Sequence, residues 1–154
     1  MVRVIMHGCN GRMGQVITEM IAKEAEMEIV AGVDVSDSVH NTYPVFKTLK
    51  DCDVEADVVI DFANAKAVDG LLDVCVERNL PCVLCTTGLS EEQLAHVKEA
   101  SGKVAILRSA NMSMGINLLM KLLKDAVPVL AAAGYDMEIL SLIHISEPTR
   151  PEPI

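Results

Sequence analysis

Gly8-Cys9-Asn10-Gly11-Arg12-Met13-Gly14 joins a strand-like apolar run, Val2–Met6, to a helix-like pattern that extends from Gly11 to Lys23. A glycine-rich turn between a strand and a helix brings backbone N–H groups and the positive end of the helix to one point, which suits a phosphate. The glycines are spaced G-x-x-G-x-x-G, and Asn10 stands where a middle glycine often occurs. Because asparagine tolerates a left-handed backbone, the turn can still form. The stretch therefore predicts a pyrophosphate-binding turn, with a glycine turn made only for packing as the alternative.

Strand-like and helix-like segments alternate after this turn, and continuous apolar strands between helices are typical of a parallel sheet covered on both faces. We therefore predict an α/β fold that is Rossmann-like and doubly wound, with a mainly parallel sheet. The predicted strands are Val2–Met6, Glu28–Val33, Val58–Asp61, Cys82–Cys85 and Val104–Leu107. The predicted helices are Gly11–Lys23, Lys66–Arg78, Ser90–Ser101 and Met114–Ala133, and Tyr135–Leu140 is a further predicted strand. Pro128 should kink the last helix or start a new turn.

Composition excludes several classes of function. A formal net charge of −9 disfavours nucleic acid and anionic membranes as partners. No segment reaches the roughly 18 apolar residues that span a bilayer, and the chain enters strand-like sequence directly, so no secretory signal is expected. The five cysteines lack a framework spacing, which favours reduced thiols in the cytoplasm. Cys82 and Cys85 should point to opposite faces of a strand, so we predict no metal site.

Polar residues follow the predicted strands at the edge where open α/β sheets bind ligands. Asp34 lies 20 residues after Gly14, where a carboxylate accepts hydrogen bonds from an adenosine ribose. A solvated turn aspartate is the alternative. No Lys or Arg occurs between Asp34 and Lys47 to hold a 2′-phosphate, so NAD(H) is favoured, while Arg12 keeps NADP(H) possible.

Three further loops can hold the ribose and the nicotinamide amide: Asp61–Ala63, Thr86–Gly88 and Ser109–Met112. Ordinary turn and capping chemistry is the alternative for each loop. The histidines His7, His40 and His96 have no identifiable nucleophile partner, and we interpret them as structural or solvated.

These segments together resemble the 4-hydroxy-tetrahydrodipicolinate (dihydrodipicolinate) reductases of bacterial lysine and diaminopimelate synthesis. The resemblance rests on Gly8–Gly14, Val59–Phe62, Thr86–Gly88 and Ser109–Asn117, the last being the most specific. It covers about residues 1 to 139, roughly the first half of a family member. It implies NAD(P)H-dependent reduction of a cyclic imine, 4-hydroxy-tetrahydrodipicolinate, to tetrahydrodipicolinate. The implied substrate is a small dicarboxylate, and the implied assembly of the full-length protein is a cytoplasmic homotetramer.

By motif match, the resemblance also implies a set of cofactor-binding residues. Those on the pyrophosphate and ribose side are Gly8, Cys9, Asn10, Gly11, Arg12, Met13 and Asp34. Those on the nicotinamide side are Cys85, Thr86, Thr87, Ser109, Ala110, Asn111 and Met112. This chain departs from the family at Cys85, where glycine is usual.

A larger departure follows Ile139, where the family continues with a Glu, a His-His pair and a Lys. Aligned without gaps, Ser141, Ile143 and Glu147 stand at the Glu, the first His and the Lys, and His144 falls on the second His by accident. Residues 140–150 resemble one reading frame of a sequencing adapter. We therefore predict a dinucleotide-binding domain over 1–113, a connecting helix and first strand of a substrate domain over 114–139, and a non-native tail over 140–154. No catalytic residue is predicted, and the chain alone should be inactive.

Two other functions stay open. The chain could be a stand-alone nucleotide-binding module without catalysis, whose natural partner would be a protein surface. It could also be the Rossmann half of another dehydrogenase, one acting on homoserine or aspartate, although Ser109–Asn117 argues against that.

Overall fold

A parallel sheet of six strands, ordered β3-β2-β1-β4-β5-β6, forms the centre of the first of two compact units, Met1–Met112. The computed structural model describes residues 1–138. The strands are β1 (Val2–His7), β2 (Met27–Val33), β3 (Val45–Phe46), β4 (Val58–Asp61), β5 (Cys82–Leu84) and β6 (Ile106–Arg108). Strand order reverses between β1 and β4, so a crevice opens at the carboxyl ends of these two strands.

Three helices belong to this unit: α1 (Arg12–Ile21), α2 (Val68–Glu77) and α3 (Glu91–Ser101). Short 3-10 turns occur at Leu49–Asp51 and Ala65–Ala67. Side chains of β1 alternate between two cores, as the period of a strand requires. Ile5 packs in the core that contains Leu71 and Leu72 of α2, while Met6 packs in the core that contains Ile17 of α1. The predicted Rossmann-like, doubly wound α/β fold is therefore confirmed.

The second unit begins at Ser113 and contains α4 (Met114–Ala132). The Ser113 side chain caps this helix by accepting a hydrogen bond from the Ile116 N–H. Pro128 lies inside α4, which continues through it as one helix, so no new turn starts there. Of the predicted strand Tyr135–Leu140, residues 135–138 form no strand, and the remainder lies outside the described residues.

Several element boundaries differ from the predicted ones. Strand β6 begins two residues later than predicted, and β5 ends before Cys85, which therefore lies in a loop. Helix α2 begins at Val68 because the preceding 3-10 turn is capped by Asn64. Strand β3 was not predicted, since two residues are too short for a periodic pattern; it forms by pairing with Gly32 and Val33 of β2.

Residues 140–154, with Ser141, Ile143, His144 and Glu147, lie outside the described residues. Within residues 1–138, no helix combines the length and the apolar character that crossing a membrane requires.

Substituting Gly14 should destabilise the fold. A Cβ on Gly14 would lie 2.2 Å from the Gly8 carbonyl oxygen and 2.7 Å from the Cys9 Cα, and both are backbone atoms that cannot rotate away. Gly14→Ala should therefore lower the free energy of unfolding by about 1–3 kcal/mol, as overpacking does. Urea denaturation followed by circular dichroism measures this change.

Gly70→Ala is the matched control. Gly70 lies in α2, and a Cβ there meets no heavy atom within 4 Å. Because alanine is the better helix former, this variant should be unchanged or more stable by up to about 1 kcal/mol. Equal stability of the two variants would contradict the close packing described at Gly14.

Candidate functional site

A cavity of about 650 Å³ opens at the carboxyl ends of β1, β2 and β4. Its walls come from the glycine turn, the segment after β2, residues 47–50, the loop after β4 and α2. The residues of these walls include Gly8, Gly11, Asp34, Lys47, Lys50 and Lys66. The cavity thus brings together the predicted pyrophosphate turn and the predicted ribose carboxylate.

The turn is built on close backbone contacts around Gly8. Gly8 has a φ of +82°, and its N–H donates to the Val33 carbonyl at 2.8 Å. The Gly11 N–H donates to the Gly8 carbonyl at 3.1 Å, and α1 begins at the next residue. No described side chain caps α1 at Gly11. A helix start without a side-chain cap presents its first N–H groups to a ligand anion.

Asn10 serves the turn through its side chain. The left-handed backbone expected at Asn10 is wrong, because the left-handed residue of the turn is Gly8 and Asn79 alone among described non-glycine residues has a positive φ. The Asn10 side chain instead donates to the Ser36 carbonyl and accepts from Asn41 Nδ2 at 2.7 Å. It thereby joins the turn to the segment that follows β2.

Asp34 holds the same two segments together through its carboxylate. Oδ2 accepts the Asn10 N–H at 2.9 Å, and Oδ1 accepts the Ser36 N–H at 2.9 Å. Each carboxylate oxygen has a further lone pair, so Asp34 can still accept from ribose hydroxyls. Burial, with the nearby Asp34 charge, raises the pKa of the Cys9 thiol to about 11, so Cys9 is a neutral packing residue.

Lysines that are distant from Asp34 in sequence reach the same cavity. Lys47 lies directly after β3, and the pairing of β3 with β2 brings its Nζ within 3.1 Å of the Val35 carbonyl. It also forms an ion pair with Asp37. Lys50 and Lys66 line the cavity as well. The absence of cations in the Asp34–Lys47 interval therefore does not decide between NAD(H) and NADP(H).

Three buried polar side chains meet beneath the site. His7 Nδ1 lies 2.6 Å from Asp61 Oδ1, and the Thr86 hydroxyl donates to Asp61 Oδ2 at 2.6 Å. The Asp61 side chain is fully buried and that of His7 is 9% exposed. His7 is thus a buried residue with a carboxylate partner, and only the fold brings Asp61 to it. His96 pairs with Asp69 and Asp73, and His40 is exposed.

The predicted nicotinamide-side residues fall into a buried group and an exposed group. Cys85 and Thr86 are buried, and the Cys85 N–H donates to the Asp61 carbonyl at 3.0 Å. The exposed residues are Thr87, Ala110, Asn111 and Met112, while Ser109 is half-buried. The Ser109 N–H continues the sheet by donating to the Leu84 carbonyl at 3.0 Å. Asp61, Cys85 and Thr86 therefore form a buried layer next to the exposed residues of this predicted set.

All five cysteines are free and buried, and a hydrogen bond joins the Cys82 thiol to the Cys75 thiol of α2. Among the described residues, no group of three or more His, Cys, Asp or Glu side chains could hold a metal ion. Arg12 and Met13 are exposed at the start of α1, next to the turn.

Several known proteins are similar to this chain in sequence or in fold. A family model described as dihydrodipicolinate reductase, N-terminus, matches residues 2–112. The 4-hydroxy-tetrahydrodipicolinate reductase of Caldanaerobacter subterraneus subsp. tengcongensis is 47% identical over 144 residues, covering 94% of this chain and 56% of the relative. The Clostridium novyi protein of the same name is 44% identical, covering 94% of this chain and 57% of the relative. The chain thus spans about half the length of these relatives.

Two solved structures have a fold similar to that of this chain. A dipicolinate-bound dihydrodipicolinate reductase from Paenisporosarcina sp. TG-14 superposes with a TM-score of 0.73 at 27% identity, covering 82% of this chain and 54% of that one. The WlbA dehydrogenase from Chromobacterium violaceum, in complex with NADH and UDP-GlcNAcA, has a TM-score of 0.68 at 18% identity, covering 84% and 40%. At 18% identity, the similarity to the WlbA dehydrogenase shows only a shared fold.

The Cys85 thiol should resist alkylation at neutral pH. Burial, with the charge of Asp61, raises its pKa to about 11, so little thiolate is present near pH 8. In the folded chain the iodoacetamide rate at Cys85, followed by peptide mass spectrometry, should still rise between pH 9 and 10. In urea it should level off near the usual thiol pKa of about 8.5. Equal folded and unfolded rates at pH 7.5 would contradict this.

Proposed function

We propose that residues 1–112 bind a nicotinamide dinucleotide that is used to reduce 4-hydroxy-tetrahydrodipicolinate. The chain belongs to the dihydrodipicolinate reductase family, and the proposal follows from that membership. The observation that carries the proposal is that the Gly8 turn and Asp34 line one cavity and are joined by the hydrogen bond from the Asn10 N–H to Asp34 Oδ2. A Cβ on Gly8 would lie 2.8 Å from the Phe62 carbonyl oxygen, so only glycine leaves the backbone open for a close approach. The residues present therefore fit a pyrophosphate next to a ribose.

Each part of the chain has a proposed role in holding the cofactor. Gly8–Met13 with the start of α1 hold the pyrophosphate, and Asp34 accepts from the adenosine ribose. The cavity beside Lys47 and α2 takes the adenine end. Cys85–Thr87 and Ser109–Met112 line the nicotinamide side. When bound, a dihydronicotinamide supplies a hydride for a cyclic imine dicarboxylate.

The chain by itself is proposed to bind without turnover. Its 154 residues contain no His-His-x-x-Lys segment, and Ile143 and Glu147 replace the first His and the Lys in an ungapped alignment. A glutamate at the place of the lysine would repel a dicarboxylate substrate. The dipicolinate in the Paenisporosarcina structure supports a small dicarboxylate as the substrate of the whole protein.

Location and assembly are proposed for the full-length protein. Five free cysteines suit the reducing cytoplasm, and a net charge of −9 does not suit nucleic acid. A homotetramer is expected from the family resemblance.

A stand-alone nucleotide-binding module is the second candidate, favoured by the separate core of residues 1–112. The genomic sequence after Ile139 separates the two. A continuing frame with the His-His motif supports the reductase, and a native stop codon near Ile154 supports the module.

Asp34 should decide both affinity and cofactor choice. Asp34→Asn keeps the size of the side chain but removes its charge and one acceptor. The dissociation constant for NADH, from titration of NADH fluorescence, should rise about tenfold, the effect of losing one charge-assisted hydrogen bond. The constant for NADPH should rise less, because the 2′-phosphate no longer faces a carboxylate. We expect the native chain to prefer NADH.

Asp53→Ala is the control, because Asp53 lines a different cavity at the amino end of the sheet. It should leave both constants within about twofold, since surface substitutions away from a site have small effects. An Asp34→Asn variant that binds NADH as tightly as the native chain would remove Asp34 from the ribose role.

Absence of turnover is directly measurable. The purified chain should bind NADH yet show no substrate-dependent loss of absorbance at the dihydronicotinamide band. The reason is that the family residues expected to bind and protonate the substrate have no counterpart in this sequence. A full-length relative run in parallel is the positive control. Oxidation of NADH by the chain alone would contradict the proposal.

A further inference from the structure

The buried network of Asp61, His7 and Thr86 has the geometry of a positioning device. Asp61 ends β4 and its carboxylate accepts from Thr86 Oγ1 at 2.6 Å and from the Ala63 N–H at 3.2 Å. His7 ends β1 and its Nδ1 lies 2.6 Å from the same carboxylate. Because a carboxylate only accepts, Nδ1 is the donor. Three separate segments of the chain are therefore tied to one buried group.

Packing alone does not call for these residues. A buried carboxylate is costly unless its hydrogen bonds are met, and apolar side chains of similar volume usually fill a sheet interior at least as well. Around Asp61 the sheet is otherwise apolar, with Val59 and Leu84 buried beside it. The network thus supplies directional contacts that an apolar core would lack.

Each member of the network borders or belongs to a segment of the candidate site. His7 precedes Gly8 of the turn, Asp61 precedes Phe62 and Ala63 of the cavity wall, and Thr86 precedes Thr87. The first two segments are also joined by their backbones, since the Phe62 N–H donates to the His7 carbonyl at 3.0 Å. The third segment is joined to Asp61 by the Cys85 N–H, which donates to the Asp61 carbonyl at 3.0 Å, and then, at the start of the Thr86–Gly88 loop, by the Thr86 hydroxyl.

We propose that Asp61 is a positioning residue for the nicotinamide half of the cofactor. Its bond to Thr86 sets the Thr86–Gly88 loop at a fixed position relative to the Gly8 turn, so that one dinucleotide spans both. The inference rests on the proposed function, and it concerns one half of the ligand. Removing the Thr86 hydroxyl should weaken the contact with the nicotinamide end and leave the adenosine end as it was.

Thr86→Val tests this directly, since valine keeps the shape and removes the donor. We compare dissociation constants for NADH and for ADP-ribose, which lacks the nicotinamide, by calorimetric titration. For Thr86→Val the NADH constant should rise about tenfold, the effect of one lost bond to a charged group, while the ADP-ribose constant stays within about twofold. Thr86→Ser, which keeps the hydroxyl, should restore the native values.

Asp34→Asn is the matched control, because it should weaken both ligands together. Unchanged NADH binding by Thr86→Val, or equal weakening of both ligands, would overturn the positioning role and leave the proposed function standing. A native chain that binds neither ligand overturns the proposed function itself, and the inference with it.

A measurement on the native chain covers the case in which Thr86→Val does not fold. NADH should slow amide hydrogen exchange at residues 86–88, and ADP-ribose should not. Equal protection by both ligands, or by neither, would overturn the inference, since the loop would then not report the nicotinamide half.

Discussion

The close approach of backbone to backbone around the Gly8 turn is the constraint on which the rest of the first unit depends. A Cβ on Gly14 would strike the Gly8 carbonyl at 2.2 Å, and one on Gly8 would strike the Phe62 carbonyl at 2.8 Å. A Cβ on Gly32 would lie 2.6 Å from the Cys9 Sγ. These three glycines let α1, β2 and β4 converge on one point. That convergence gathers the helix start, Asp34 and the cavity wall into a single site.

Local charge, and not net charge, governs what this site can hold. The chain carries −9 overall, yet three lysines balance the three acidic residues Asp34, Asp73 and Glu77 in the cavity wall, and the N-terminus of α1 borders the cavity. Asp34 is itself held by two backbone N–H groups, so part of its charge is already compensated. The result suits an anionic pyrophosphate beside a ribose. Lys47 and Asp34 line the same cavity.

Much of this arrangement could be predicted from sequence, because long alternating apolar segments decide a doubly wound sheet. The positions of the turn, of Asp34 and of the loops after β4, β5 and β6 follow from where those segments end. The sequence did not reveal β3, whose two residues leave no periodic signal, and therefore missed that Lys47 reaches the cavity. It also missed the pairing of His7 with Asp61, because residues 54 positions apart meet only once β1 and β4 are adjacent.

The two ends of the candidate site are built differently, and this bears on how binding energy is distributed. The proposed adenosine end is a walled cavity lined by polar groups that include Asp34 and Lys47. The proposed nicotinamide end presents Thr87 and Ala110–Met112 at the surface, and the Thr86–Gly88 loop beside it is tied to the core by the buried bond between Thr86 and Asp61. A walled cavity supplies affinity through contact, whereas an exposed loop gains affinity by being held in place before the ligand arrives. Affinity in this chain should therefore reside mainly in the adenosine half, while the orientation of the nicotinamide depends on the network beneath it.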